Sequence, residues 1–157
     1  MIIWVTAIRD KSKSMTKATT RFWATALLIG AASPVFAQET VRTEAVTLAA
    51  QVVAQGLENP WGLDFLPDGS MVVTERPGRM RIVGADGILS EPIAGVPEIS
   101  ANGQGGLLDV AVAPDFAQSG RIYFTFSEPG SGGAGTAIAS ATLVRDGAQA
   151  RLDDVKI

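Results

Sequence analysis

The sequence predicts an all-β fold, and three observations carry that expectation. Turn signals arrive about every ten residues: Asn59-Pro60, Pro67-Asp68-Gly69, Pro77-Gly78, Ala85-Asp86-Gly87, and Gly95 with Pro97. Between them lie short apolar or alternating stretches with no helical period. A strand–Pro-Asp–strand unit also occurs twice along the chain.

The N-terminal part reads differently from the rest. Arg9, Lys11, Lys13, Lys17 and Arg21 precede the apolar run of residues 22–32, and Val35-Phe-Ala37 ends it. A basic segment, a short apolar segment and a small-residue end describe a secretory signal peptide, residues 1–37, cut after Ala37. The run is shorter than the ~20 residues a membrane-spanning helix needs. An anchoring N-terminal helix is the alternative. Met15 opens a compact signal peptide by itself, so translation is expected to start there rather than at Met1.

Cleavage at Ala37 would leave residues 38–157, with 8 Lys+Arg against 15 Asp+Glu, a net of −7. Such a surface repels nucleic acid, whose binding rests on neutralising phosphates. The chain has no cysteine, so an exported location imposes no disulfide framework. These features predict an acidic periplasmic domain with no membrane span after cleavage.

The elements follow in order. Residues 38–44 are polar and expected to be loose. Val46–Val53 reads as a strand, then Trp61–Leu66, Met71–Glu75, Met80–Val83 and Ile88–Ile93 as four more. A second set comprises Leu107–Ala113, Arg121–Ser127, Thr136–Val144 and a strand beginning at Leu152. The turns at Pro67 and Pro114 lie 47 residues apart. Four-stranded propeller blades repeat at about 40–50 residues, so the chain is read as about two blades of a β-propeller. Two meanders of a sandwich would also place Pro-Asp turns this way. A propeller ring needs at least about four blades, so the chain is expected to be the N-terminal portion of a longer protein.

The run Gly103-Gln-Gly-Gly106 is the candidate binding element. A phosphate loop would need a Lys after the glycines, and a dinucleotide fingerprint would need Gly where Leu108 stands. Residues 107–113 have strand chemistry, and Pro114 would stop a helix. Phosphate binding is therefore rejected. What remains is a tight turn that carries Gln104, whose amide can accept from or donate to a hydroxyl and can donate to a quinone oxygen. A solvent-facing Gln in a bulged turn is the plainer alternative.

Other chemistry is sparse. The chain has no histidine, hence no imidazole base and no histidine metal ligand. Asp64, Asp68, Asp109 and Asp115 lack a metal-loop spacing, and Asp68 and Asp115 read as turn formers. Arg76, Arg79 and Arg81 read as the solvated face of a hairpin beside Glu75, with anion binding as the alternative. Trp61 and Tyr123 are expected to pack between blades.

Leu57-Glu-Asn-Pro-Trp-Gly-Leu-Asp-Phe-Leu-Pro-Asp-Gly-Ser-Met-Val-Val-Thr-Glu-Arg-Pro-Gly-Arg79 resembles the opening blade of the glucose/sorbosone dehydrogenase family. The bacterial aldose sugar dehydrogenases are its most similar branch. The likeness continues through residues 103–117, Tyr123-Phe-Thr-Phe-Ser-Glu128 and Gly135-Thr-Ala137, so it covers nearly all of residues 50–157. The resemblance implies a six-bladed propeller in the full-length protein. It also implies a periplasmic enzyme that uses pyrroloquinoline quinone (PQQ) to oxidise the C1 hydroxyl of aldose sugars to lactones. An external electron acceptor then takes the electrons. Calcium (Ca2+) is implied as a second cofactor that aids folding or dimerisation, so a homodimer is an assembly the likeness allows. Only Gln104 carries over as a substrate-facing residue. The family's histidine base belongs to a later Asn-His-Phe-Gly-type motif, so no catalytic, quinone-holding or metal residue is assigned here. A gluconolactonase-like propeller hydrolase and a non-catalytic propeller binding module are the rival readings. N-terminal sequencing of the precursor checks the start site: a chain beginning at Met15 is expected, and one beginning at Met1 would refute it.

Overall fold

A computed structural model describes residues 2–8, 39–42, 47–147 and 149–157. It divides into two compact units, a smaller one of Ile3–Val52 and a larger one covering Val53–Ile157. The apolar run of 22–32 and the cleavage site after Ala37 lie outside the described residues.

The smaller unit holds most of a three-stranded sheet built from β1 (Ile2–Ile8), β2 (Glu39–Arg42) and β3 (Thr47–Ala54), in the order β1-β3-β2. β3 matches the expected strand within one residue at each end. β2 falls where a loose segment was expected. The β-branched pair Thr40-Val41 suits an extended backbone, and β2 pairs antiparallel with β3 from Glu39–Ala50 to Arg42–Thr47.

The larger unit contains two antiparallel meanders. The first runs through β4 (Pro60–Phe65), β5 (Met71–Glu75) and β6 (Arg79–Val83). At the Pro67-Asp68-Gly69 turn the Ser70 amide donates to Asp68 Oδ1 at 3.0 Å, as an Asp turn former should. The second meander is β7 (Leu107–Val112), β8 (Arg121–Gly130), β9 (Gly133–Asp146) and β10 (Gln149–Lys156). Between β7 and β8, Pro114-Asp115 leads into a single helical turn, α1 (Phe116–Ser119), closed by Gly120 at φ 62°. Asp115 caps this turn without a side-chain hydrogen bond. Its carbonyl, rather than its carboxylate, accepts the Gln118 and Ser119 amides.

One expected strand does not form. Ile88–Ile93 runs beside β6 but makes only an isolated bridge, Val83–Leu89. The Ser90 hydroxyl takes the Ile82 amide at 2.9 Å, and Pro92 has no amide to offer. The segment stays attached through bonds from the Ser90 amide to Ile82 O and from the Ile93 amide to Met80 O, each 2.8 Å. It then crosses to the second meander, where Ala94 forms a parallel bridge with Arg151.

The core lies between the two sheets. Val72, Met80 and Ile82 of the first face Ile122, Phe124 and Phe126 of the second, all buried in one cluster. The opposite face of the first sheet is covered as well, with Met71, Val73 and Val83 packed against Ala54. All five residues of β5 are consequently buried. Trp61 and Tyr123, expected between blades, are 55% and 41% exposed in this chain. Tyr123 alternates with buried Ile122 and Phe124 and so points away from the core, while Trp61 stands between exposed Pro60 and half-buried Gly62.

β4 and β7 adjoin without sharing a ladder. A Cβ on Gly62 would lie 3.0 Å from the Asp109 Cα, so only glycine permits the approach. Thr74, fully buried, accepts the Gly62 amide at 2.9 Å and donates its hydroxyl proton to the Leu108 carbonyl. Asp64 Oδ2 accepts the Val112 amide at 2.7 Å. Removing the threonine hydroxyl leaves a carbonyl and an amide short of a partner, at a cost of about 1–3 kcal/mol each where buried. Thr74→Val, nearly the same in shape, is therefore expected to lower the unfolding free energy by about 2 kcal/mol in denaturant titration. An unchanged midpoint would show that this seam does not stabilise the chain.

Candidate functional site

The candidate site is the turn that feeds β7. The Gly105 amide donates to Asn102 O at 2.9 Å, closing a four-residue turn with Gly103 and Gln104 at its centre. Gly103 has φ 58° while Gln104 stays out of the left-handed region. That is the sign pattern of a type II′ turn, which favours Gly at the first central position. Gln104 is exposed at the tip, and its side chain makes no hydrogen bond to the described residues.

The turn is held from behind on two sides. From the β5–β6 hairpin, Arg76 Nη1 donates to Gly103 O at 2.7 Å and to Gly105 O at 3.1 Å. The Arg76 carbonyl accepts the Leu107 amide at 3.0 Å. A side chain at position 106 would collide with that carbonyl, and Gly106 has φ 151°. From β8, the Ser127 hydroxyl accepts the Gly106 amide at 3.2 Å, and the Ser127 amide donates to Gly106 O at 2.9 Å. The glycine run therefore meets the β5–β6 turn of one sheet and strand β8 of the other at close range.

Beneath Arg76 lies a buried carboxylate. Glu75 is fully buried; Arg79 Nε donates to it at 2.8 Å, the Glu58 amide donates to its Oε1, and Arg81 Nη1 stands 3.8 Å away. Burial alone would push the Glu75 carboxyl up. The Arg79 hydrogen bonds, the Glu58 amide and the two guanidinium charges outweigh that and hold it below its ordinary 4.5. Arg79 in turn reaches Glu58 at 2.7 Å, and its hydrogen bonds to Glu75 and Glu58 raise its own pKa. Arg81 also donates to the Ser90 carbonyl at 2.6 Å. The arginines read as a solvated hairpin face are thus committed to internal partners.

A second polar brace sits at the other end of the first sheet. Arg145 of β9 meets Asp68 at 2.5 Å. The Ser70 hydroxyl bond, then the Arg145 bond, lower the Asp68 carboxyl from 3.8 to about 2.

The aspartates do not converge. Asp64, Asp68 and Asp109 each serve a separate backbone amide, and among the described residues no three His, Cys, Asp or Glu side chains are grouped to hold a metal ion. No residue of this chain is assigned to calcium or to the quinone. Sequence reasoning names Arg76 as part of a hairpin face but does not find its bonds to the glycine turn. Its contacts are 27 and 29 residues away, beyond the reach of any local pattern.

Two antiparallel meanders packed face to face, with their first strands adjoining, define blades of a β-propeller. The chain belongs to the Glucose / Sorbosone dehydrogenase family, whose model matches residues 57–157. It is 49% identical over 102 residues to the aldose sugar dehydrogenase YliI of Escherichia coli (strain K12), covering 64% of this chain and 28% of that protein. A crystal structure of a glucose dehydrogenase matches with 55% identity and a TM-score of 0.60, over 64% of this chain and 29% of the other. The PQQ-bound form of an aldose sugar dehydrogenase from Streptomyces coelicolor matches at 28% identity and a TM-score of 0.58, over 80% of this chain and 34% of that one. The chain therefore spans about three tenths of the length of these relatives.

Asp68 and Glu75 both titrate lower in the folded chain than in the unfolded one. Their stabilisation is complete above the unfolded values and is lost as pH falls through the folded ones. The denaturant midpoint should thus drop as pH falls from about 4.5 towards 2. Asp68→Asn should flatten the lower end of that profile; an unaltered profile would remove Asp68 from the account.

Proposed function

We propose that this chain forms the opening blades of a periplasmic, PQQ-dependent dehydrogenase that oxidises aldose sugars at C1 to lactones. The observation that carries this reading is the family match across the segment containing the braced Gln104 turn. Its relatives include an aldose sugar dehydrogenase and a PQQ-bound structure. The export signal read at residues 1–37 supports the periplasmic location.

PQQ, when bound, supplies the hydride acceptor for C1–H. The task of this chain's own residues is to bind and orient the sugar. Gln104 presents a carboxamide whose oxygen can accept from a sugar hydroxyl and whose NH2 can donate to another oxygen. Its backbone is fixed by Arg76 and Ser127, so little conformational entropy is lost on contact. The hydroxyl proton needs a base, and the histidine that the family resemblance names has no counterpart in this sequence, which holds none. Electrons leave to an external acceptor.

The test uses the full-length protein that carries this sequence, reconstituted with PQQ and calcium and given aldoses with an artificial electron acceptor. Acceptor reduction with lactone formation is the expected result. Absence of turnover with every aldose would overturn the reading, and quinone-independent lactone hydrolysis would favour the hydrolase instead. Gln104→Ala, which removes one polar contact of about 1 kcal/mol, should lower kcat/KM roughly fivefold.

A further inference from the structure

We infer that Arg76 is a positioning residue for Gln104: its guanidinium fixes the two carbonyls on either side of that residue and so sets where its amide is presented. The inference rests on the reading of Gln104 as the sugar-facing group.

Four of the described arginines, Arg79, Arg81, Arg145 and Arg151, each stand within 4.0 Å of a carboxylate. Among the described residues Arg76 has no such partner. It instead directs one nitrogen at two backbone oxygens, Gly103 O and Gly105 O, at 2.7 and 3.1 Å. Hydrogen bonds from a charged donor are about twice as strong as neutral ones. Gln104 is the residue between those carbonyls, so fixing both orients its Cα–Cβ bond and leaves only side-chain rotation free.

The location of Arg76 strengthens the point. It follows Glu75, whose buried carboxylate is gripped by Arg79 and the Glu58 amide, and it opens the three-residue turn to Arg79. Its own carbonyl receives the Leu107 amide, so main chain and side chain grip the same run. Without the guanidinium, a turn carrying three glycines would regain the backbone freedom that glycine confers. A lysine keeps the charge, but its ammonium sits one bond nearer the backbone than Nη1 and so falls short of the two carbonyls that Arg76 reaches.

The experiment compares Arg76→Lys, Arg76→Gln and Gln104→Ala with the unaltered full-length protein, with two readouts. The first is amide hydrogen exchange. Arg76→Lys should speed exchange at Gly105, Gly106 and Leu107 about tenfold, and Arg76→Gln more, while the Phe124 amide in the core is unchanged. The second is a double-mutant cycle in kcat/KM for an aldose: Arg76→Lys should cost nothing further once Gln104 is alanine.

Unchanged exchange in both Arg76 variants would overturn the inference while leaving the Gln104 reading intact. Faster exchange with strictly additive kinetic losses would overturn it too, since Arg76 would then act other than through Gln104. Faster exchange with normal kinetics in Gln104→Ala would instead overturn the sugar-facing role of Gln104. Global acceleration that includes Phe124 in both variants would show that Arg76 serves folding only.

Discussion

The buried carboxylate of Glu75 is the constraint on which the candidate site depends. A charge removed from water must be paired or it opposes folding by several kcal/mol, on the order of the whole stability of a domain. Here the pairing is supplied by the hairpin that Glu75 itself begins. Arg79, four residues on, closes a loop back to it, and Glu58 at the entry to β4 contributes both an amide to Glu75 and a carboxylate to Arg79. Satisfying that charge fixes the end of β5, the start of β6 and the approach to β4 together. Arg76 starts from this fixed point, so a guanidinium with several rotatable bonds reaches two specific carbonyls across the blade boundary. The same electrostatic requirement thus organises the hairpin and, one residue later, the turn that holds Gln104.

The junction between blades follows a different logic from the blades themselves. Within each meander, ladder hydrogen bonds set the register. Across the seam no ladder exists, and β4 and β7 are tied by side chains: Thr74 to Leu108, Asp64 to Val112, with Gly62 admitting the approach to Asp109. Such contacts specify one relative placement because each satisfies a particular backbone group on the far side of the seam. The Asp68–Arg145 pair, its partners about half exposed, is screened and contributes less, but it marks the opposite end of the same junction. Apolar packing between the sheets supplies the bulk of the attraction, and the polar ties select the alignment.

Much of the fold was legible because strands announce themselves locally. Met71–Glu75 was read with its observed bounds, and the four strands of the second meander were each found. The 88–93 stretch was misread because its apolar pattern is real; Ser90 and Pro92 remove ladder bonds that composition does not reveal. Asp68 and Asp115 share a Pro-Asp signature yet diverge. The chain after Asp68 turns at once into β5, whereas the chain after Asp115 has Phe116-Ala-Gln-Ser119 to wind into a helical turn. Tyr123 lies between buried Ile122 and Phe124, so the alternation of its own strand turns it away from the core that this chain builds. Gln104 was singled out from its glycine neighbours and a family resemblance. The brace behind it was not, since it depends on long-range geometry.

The three glycines around Gln104 meet two separate physical demands, and this division explains why a run of them is needed. Gly103 has nothing within 4 Å of where a Cβ would stand, so space is not its reason; its φ of 58° is. At Gly105 a Cβ would lie 2.7 Å from the Ser100 carbonyl, and at Gly106 it would strike Arg76. Those two positions are crowded from both sheets. A turn that is bent at one glycine and gripped at the next two presents its single long side chain outward from a backbone with little freedom left. Rigidity here comes from the absence of side chains, because only bare backbone lets Arg76 and Ser127 approach closely enough to hold the turn.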